Sequence, residues 1–212
     1  MSTRRLVIAG AVVASIAALP LPVFAQEGGL KAGLNLASWS EQDPEEGVEL
    51  SRRTGLVAGG WLRTPERSRV SFQIEALYSE KGASLTVDMF DEIDAEVRLR
   101  YVEVPLLARV DFAPAGSAGR FHLFGGVAPA FRISARASGS DGTNESSADV
   151  GDSFETFDLG AVAGAGLEFG RAVIDARYTH GLRSIAKAEA ADIEVPTVKN
   201  RAFSVMVGFR LF

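Results

Sequence analysis

The sequence contains no cysteine and only two histidines among its 212 residues. The missing cysteines exclude a disulfide scaffold, an iron–sulfur centre and a zinc–thiolate site. Two histidines leave little for a histidine-based metal centre. The formal net charge of -5 argues against nucleic acid as a partner. The charged fraction, 23%, is too high for a bundle of membrane helices. We therefore expect no cofactor, no metal centre and no nucleic-acid partner.

Long apolar runs are absent except at the N-terminus. Arg4 and Arg5 precede residues 6–19, which carry no charge, and Pro20 and Pro22 follow them. This layout is typical of a secretory signal peptide. A transmembrane anchor is the alternative, but a spanning helix needs about 20 apolar residues. We expect residues 1–25 to be a signal peptide that is cleaved near Ala25, and residues 26–212 to form the mature domain.

The mature chain alternates apolar and polar residues with a period of two, as in Val70, Phe72 and Ile74 against Ser71 and Gln73. This period predicts β-strands. We predict strands at 30–38, 53–63, 70–80, 97–112, 120–136, 154–169, 172–182 and 200–212. The connections between them alternate long and short, which is typical of outer-membrane barrels. The predicted fold is all-β, an eight-stranded antiparallel up-and-down transmembrane β-barrel.

The two faces of the predicted strands differ in polarity. One face is rich in Val, Leu, Phe and Ala, and the other carries acids and bases together. Mixed charges can pair in a narrow lumen, whereas an apolar outer face suits lipid. We expect a lumen charge network in which at least one of Arg109, Arg132 and Arg177 bridges Glu75 and Glu103, with Arg132 as the first choice. Its predicted members are Glu75, Glu103, Arg109, Asp111, Arg132, Asp175 and Arg177. A soluble lipocalin-type barrel with an apolar interior is the alternative.

Aromatic residues fall into two groups about ten residues apart, as the two interfaces of a membrane select. The group near the short turns is Phe72, Phe112, Phe121, Phe169 and Phe209. The group near the long loops is Tyr78, Tyr101, Phe131, Phe157, Tyr178 and Phe203.

Three features fit the barrel less simply. Pro105 and Pro129 lie inside predicted strands, and because proline cannot donate to a ladder we expect a bulge at each. In segment 53–63 either face could be the apolar one, since Leu56 and Leu62 lie on one face and Val57 and Trp61 on the other. Segments 88–97 and 184–194 have some helical character and are interpreted as loops with a turn of helix.

Four stretches resemble the PorT-like outer membrane β-barrel family, which is similar to the OmpX and OmpA barrels. They are QIEALYSEKG (73–82), YVEVPLLARVDF (101–112), FDLGAVAGAGLEF (157–169) and DARYTHGL (175–182). The resemblance implies an eight-stranded barrel in the outer membrane of a diderm bacterium. It implies no enzymatic activity. The terminal aromatic signal for the barrel-assembly machinery is present at Phe212, shifted by one residue.

Function is less constrained than fold. Some small barrels are enzymes acting on lipid A, but the candidates His180 and Ser204 fall on opposite faces, and His122 points inward. The four long loops carry a net charge of -12. We expect a monomeric structural or surface-interaction barrel, not an enzyme, that contacts outer-membrane lipid and lipopolysaccharide, with divalent cations at its acidic loops. A narrow pore or a transport or secretion accessory barrel is the alternative.

Overall fold

The computed structural model describes residues 27–40, 48–64, 69–89, 91–112, 119–140, 145–186 and 198–212. The predicted signal peptide at 1–25 lies outside these residues. Ten strands and one 3-10 helix, Gly151–Ser153, make up the described secondary structure. The strands are β1 Glu27–Ser40, β2 Val48–Arg63, β3 Val70–Met89, β4 Asp91–Glu103, β5 Leu106–Phe112, β6 Gly119–Ser140, β7 Glu145–Asp149, β8 Phe157–Phe169, β9 Ala172–Gly181 and β10 Lys199–Arg210.

In the described part of the chain, no helix is long and apolar enough to cross a membrane.

The ten strands form one closed antiparallel sheet. β1 pairs with β2 on one side and with β10 on the other, and each later strand pairs with the next around the ring. β4 and β5 are two halves of one barrel strand, because both pair with β3 and with β6. β7 only extends the sheet beside the outer end of β6. Eight barrel strands therefore close the ring and leave no open edge, as the predicted fold class requires.

The side chains alternate between the lumen and the outer wall. Along β5 the outward residues are exposed and the inward ones buried, with Leu106 47% exposed and Arg109 only 2%. Val127 on the neighbouring strand is 40% exposed. The large apolar side chains thus lie outside and the charged ones inside, which favours the membrane barrel over the lipocalin type. In β2, Val57 and Trp61 face inward and Leu56 faces outward.

The aromatic groups are largely where the sequence predicts them. Phe72, Phe112, Phe121, Phe169 and Phe209 are exposed near the short turns, and Phe131, Tyr178 and Phe203 are exposed near the long loops. Tyr101 was wrongly assigned to the outer group. Its side chain is 0% exposed and lies in the lumen, because it shares the inward parity of Glu103 on β4.

The two prolines do not cause the expected bulges. Residues 104 and 105 interrupt the ladder, yet Glu103 faces Ala130 and Leu106 faces Val127, so the register continues unchanged. Pro129 also lies in an unbroken register with β8. The chain tolerates both prolines by omitting ladder bonds locally. The register shifts instead between Arg100 and Tyr101 against β6, where Ile133 is the extra residue, and between Arg52 and Val57 on β2.

The predicted loop at 81–96 is wrong, as is the helical turn at 88–97. β3 continues to Met89 and β4 starts at Asp91, so the two strands form a long hairpin. The sequence keeps its period of two at the end of β3, where Thr86 and Asp88 alternate with Leu85, Val87 and Met89. The acidic residues of this segment suggested a loop, but a strand that rises beyond the lipid can carry charge on its outer face. β6 also continues past the predicted end, to Ser140.

The assignment of faces is testable by substitution at mid-strand. Val127→Arg places a charge against hydrocarbon and should lower the free energy of unfolding by about 2–4 kcal/mol. Gln73→Arg should cost less, because Gln73 is buried in the lumen and its amide already donates to Glu75 at 2.6 Å. Urea unfolding of the refolded barrel in detergent micelles measures both. Equal losses for the two variants would contradict the facing.

Candidate functional site

The centre of the lumen holds a chain of buried charges. Lys31 on β1 reaches two opposite strands, with Nζ 2.8 Å from Glu75 Oε1 on β3 and 2.7 Å from Asp175 Oδ2 on β9. Arg177 Nη2 lies 2.8 Å from the other Glu75 oxygen. His122 Nε2 lies 2.9 Å from Asp175 Oδ1. Each of the two carboxylates therefore contacts at least two partners, which offsets the cost of burying it.

A glycine provides the space for the contact between His122 and Asp175. A Cβ atom at Gly166 would lie 2.4 Å from both Asp175 Oδ1 and His122 Nε2. Gly166 faces His122 on one side and Asp175 on the other in the sheet register. A glycine at position 166 of β8 therefore leaves room for the side chains of His122 and Asp175 to meet in the lumen.

A second charge layer lies at the short-turn end. Glu168 on β8 is contacted by three guanidinium groups, Arg63 at 2.8 Å, Arg109 at 2.8 Å and Arg120 at 2.9 Å. Arg109 also donates through Nε to Asp111 Oδ1 at 3.0 Å. This layer closes the lumen below the central one, since the side chains of Arg63, Arg109, Asp111 and Glu168 are all buried.

A third layer lies nearer the long loops. Lys81 Nζ is 2.6 Å from Glu103 Oε1 and 5.4 Å from the centroid of the Tyr101 ring. Asn200 donates to Asp158 Oδ2 at 2.8 Å and to the Tyr101 hydroxyl at 3.2 Å. Each acid in this layer thus lies beside a cation or a neutral donor, and Glu103 is separate from the Glu75 group.

The outer mouth of the lumen is closed by apolar packing. Two segments fold over it, since the Glu155 amide donates to the Ile185 carbonyl at 2.7 Å and the Ile185 amide to the Val198 carbonyl at 2.8 Å. Phe154 and Ala186 form a bridge between these segments. The cluster beneath contains Leu99, Tyr101, Ala130, Ala135 and Ile185, with Trp39, Val97, Val150, Phe154 and Val198 packed against it.

Arg132 belongs to this mouth and does not bridge Glu75 and Glu103. Its guanidinium donates to three backbone carbonyls, those of Gly151 at 2.8 Å, Phe154 at 3.1 Å and Glu155 at 3.2 Å. The predicted bridge is wrong, because Glu103 pairs with Lys81, whereas Arg177 contacts Glu75 and Arg109 contacts Asp111 and Glu168. Arg132 lies just before the extra residue of β6, at the level where the chain between β7 and β8 crosses the mouth. Arg132 therefore holds that segment in place.

The structure brings some predicted residues together and separates others. Glu75 lies with Arg177, and Arg109 lies with Asp111. Sequence reasoning missed three cations of the lumen: Lys31, which contacts Glu75 and Asp175, Lys81, which contacts Glu103, and Arg63, which contacts Glu168. Lys31 has the inward parity of its strand, which was a usable signal, whereas Lys81 fell in a segment that was interpreted as a loop.

The described residues do not support a metal site or an exposed catalytic dyad. Among them, no group of three or more His, Asp or Glu residues is arranged to hold a metal ion. Eight of the acidic loop residues proposed as cation ligands lie outside the described residues, namely Glu41, Asp43, Glu45, Glu46, Asp141, Glu189, Asp192 and Glu194. His180 is on the outer parity of β9, whereas Ser204 is buried on the lumen side of β10, so the two face opposite sides of the wall.

Comparison with known proteins places the chain in a family. The family model for the outer membrane protein beta-barrel domain matches residues 24–187. The chain therefore belongs to this outer membrane β-barrel family, and its location is the outer membrane. No curated protein sequence matches it.

Several solved outer-membrane barrels resemble the chain in fold. Neisserial surface protein A is 16% identical with a TM-score of 0.44, covering 86% of this chain and 96% of its own. OprG of Pseudomonas aeruginosa is 11% identical with a TM-score of 0.44, covering 89% and 97%. Ail of Yersinia pestis is 15% identical with a TM-score of 0.40, covering 87% and 98%. Similarities of this size carry no information on function.

The lumen pairs can be tested by double-mutant cycles. Lys81→Met combined with Glu103→Gln should destabilise the barrel less than the sum of the single changes, because either change alone leaves a buried charge without its partner. The coupling energy should reach about 0.5–3 kcal/mol in micelle unfolding. The matched pair Arg132→Ala and Glu103→Gln should couple more weakly. A stronger coupling to Arg132 would refute the assignment of Lys81 as the partner.

Loss of Arg132 should open the mouth without unfolding the barrel. Arg132→Ala removes the donor to the carbonyls of Gly151, Phe154 and Glu155. We expect faster chymotrypsin cleavage after Phe154 in the folded barrel. Arg136→Ala on the same strand is the control, because the described residues give Arg136 no such contact. Unchanged cleavage in the Arg132 variant would contradict the anchoring role.

Proposed function

We propose that the protein is a structural or surface-interaction barrel, with external loops that contact ligands or neighbouring cells. The observation that carries this proposal is the closed interior. Three layers of buried ion pairs fill the lumen, and an apolar cluster covers its outer mouth. An eight-stranded barrel is just wide enough for its interior to be filled by side chains. The interior therefore offers little for transport, and the outward parts of the molecule are left to carry its role.

The same interior argues against the narrow pore or transport accessory barrel. Ion passage would require Lys31, Glu75 and Asp175 to separate, and each separated charge would then need water that the packed lumen does not supply. A catalytic role is also disfavoured. Ser204 is buried, and the carboxylate of Asp175 beside His122 is already shared with Lys31. We propose that the protein is not an enzyme.

Further proposals concern processing and partners. We propose cleavage of the signal peptide near Ala25, insertion by the barrel-assembly machinery, and a monomeric state in lipid that includes lipopolysaccharide. The motifs quoted above support the PorT-like group within the wider family. The net charge of -12 on the four long loops supports binding of divalent cations there.

Conductance in a planar bilayer tests the closed interior. The wild-type barrel should insert without producing stepwise currents, because the ion pairs and the apolar cluster block the path. A porin reconstituted in the same bilayer provides the positive control, and flotation of proteoliposomes verifies insertion of the barrel. Reproducible unitary currents from the wild type, lost in a variant that adds bulk to the lumen such as Ser204→Phe, would establish the pore instead.

A further inference from the structure

On one side of the barrel, a row of outward side chains marks the level of the lipid headgroups at the long-loop end. Tyr78 on β3 faces Val102 on β4, Val102 faces Phe131 on β6, and Phe131 faces Phe157 on β8. The rings of Phe131 and Phe157 are 5.4 Å apart. Aromatic residues of this kind lie at the level of lipid headgroups. The surface just beyond this row therefore meets the polar part of the outer leaflet.

Arginines lie on the same outer wall just beyond this aromatic row. Arg100 faces Ser134, and two residues further out Arg98 faces Arg136. At about 3.4 Å per residue, these two levels are roughly 7 and 14 Å beyond Val102 along the strand. The intervening Leu99 and Ala135 are buried, so Arg98, Arg100 and Arg136 point away from the lumen.

The bulge in β6 is responsible for this arrangement. Before the bulge, the even-numbered residues His122, Phe124, Ala128 and Ala130 face the lumen. The extra residue at Ile133 reverses the parity, so that Ser134 and Arg136 face outward and Ala135 faces inward. Without the extra residue, Arg136 would point into the apolar cluster of the mouth. The chain therefore places a cation outside that a regular strand would have placed inside.

The three arginines line a small cleft. Its volume is about 120 Å³, and its lining residues are Arg98, Arg100, Ser134, Arg136 and Ser138. Guanidinium groups bind phosphate through paired N–H donors, and serine hydroxyls add further donors. The size and the donor set of the cleft suit a phosphate group.

Nearby acids balance only part of this positive charge. Arg98 Nη2 lies 3.0 Å from Glu96 Oε1, but Arg53 Nε occupies the same oxygen at 2.7 Å. That hydrogen bond from Arg53 lowers the pKa of Glu96. Arg100 Nε lies 3.1 Å from Glu80, which also accepts from the Tyr78 hydroxyl at 2.7 Å.

The Arg136 side chain makes no hydrogen bond or ion pair with any residue that the structure describes. Asp149, its neighbour in the sheet, accepts instead from the Gly151 amide at 2.9 Å. Like charges directly opposite each other, as Arg98 and Arg136 are, destabilise a sheet unless an anion lies between them. The cleft therefore retains donors and positive charge for a ligand.

We propose that this cleft binds a phosphate group of lipopolysaccharide in the outer leaflet, with the acyl chains of that lipid against Phe131 and the wall below it. The site belongs to the outer wall at the headgroup level, so it is independent of what the loops bind. Its lipid source follows from position, because the cleft opens sideways just beyond the aromatic row and not into the lumen.

Titration of the full-length mature barrel, refolded in detergent micelles, tests the proposal. The probes are lipid A with two phosphates, the same lipid A with its phosphates removed, and inorganic phosphate. We expect the double variant Arg98→Ala and Arg136→Ala to bind the phosphorylated lipid A at least tenfold more weakly than the wild type. The dephosphorylated lipid A should bind wild type and variant alike. Inorganic phosphate should compete, but with weaker affinity than lipid A.

Two controls keep the result specific. Arg201→Ala removes an outward arginine at the same end of the barrel, on β10, and should bind like the wild type. The single variant Arg136→Ala leaves no described carboxylate unpaired, and should itself weaken binding if the double variant does not fold. Equal affinity of wild type and variants for phosphorylated lipid A would overturn the site. Equal affinity for inorganic phosphate and lipid A would overturn the lipid as its source.

Discussion

Hydrocarbon solvates neither peptide groups nor charges, and this constraint determines how the chain is arranged. Every strand that crosses the lipid must find a ladder partner on both sides, so β1 and β10 close the ring. Every charge on a membrane-level strand must turn inward, where it can be neutralised only by another side chain. Lys31 is the clearest case, since it joins carboxylates on β3 and β9 across the barrel.

The barrel wall separates two kinds of charge. Inside, acids and bases occur in layers and pair with one another. Outside, beyond the aromatic row, Arg98, Arg100 and Arg136 exceed the acids that contact them. The single extra residue at Ile133 separates the two environments on β6, because the parity of the strand reverses there. The bulge at Ile133 thus turns Arg136 to the outer wall, although the polar residues of this strand below the bulge face the lumen.

Much of the fold was predictable from the sequence because the period of two and the alternation of turn lengths are local signals. The facing of Leu106 and Val127 followed from parity alone. The ion-pair partners were not predictable in the same way, since Lys31 and Asp175 lie 144 residues apart and meet only after the ring closes. The inward position of Tyr101 was readable from its parity with Glu103. The bulge at Ile133 has no signal comparable to proline or glycine, so the position of Arg132 and the outward turn of Arg136 could not be anticipated.

The lumen is a packed interior of paired charges without a water path. The absence of cysteine allows a direct measurement with single cysteines on β10. A charged, membrane-impermeant thiol reagent should label Arg201→Cys at the exposed outer rim of the folded barrel. Ser204→Cys, placed where the native side chain is 5% exposed in the lumen, should stay unlabelled until the barrel is denatured. Labelling of both cysteines at the same rate in the folded protein would contradict the account.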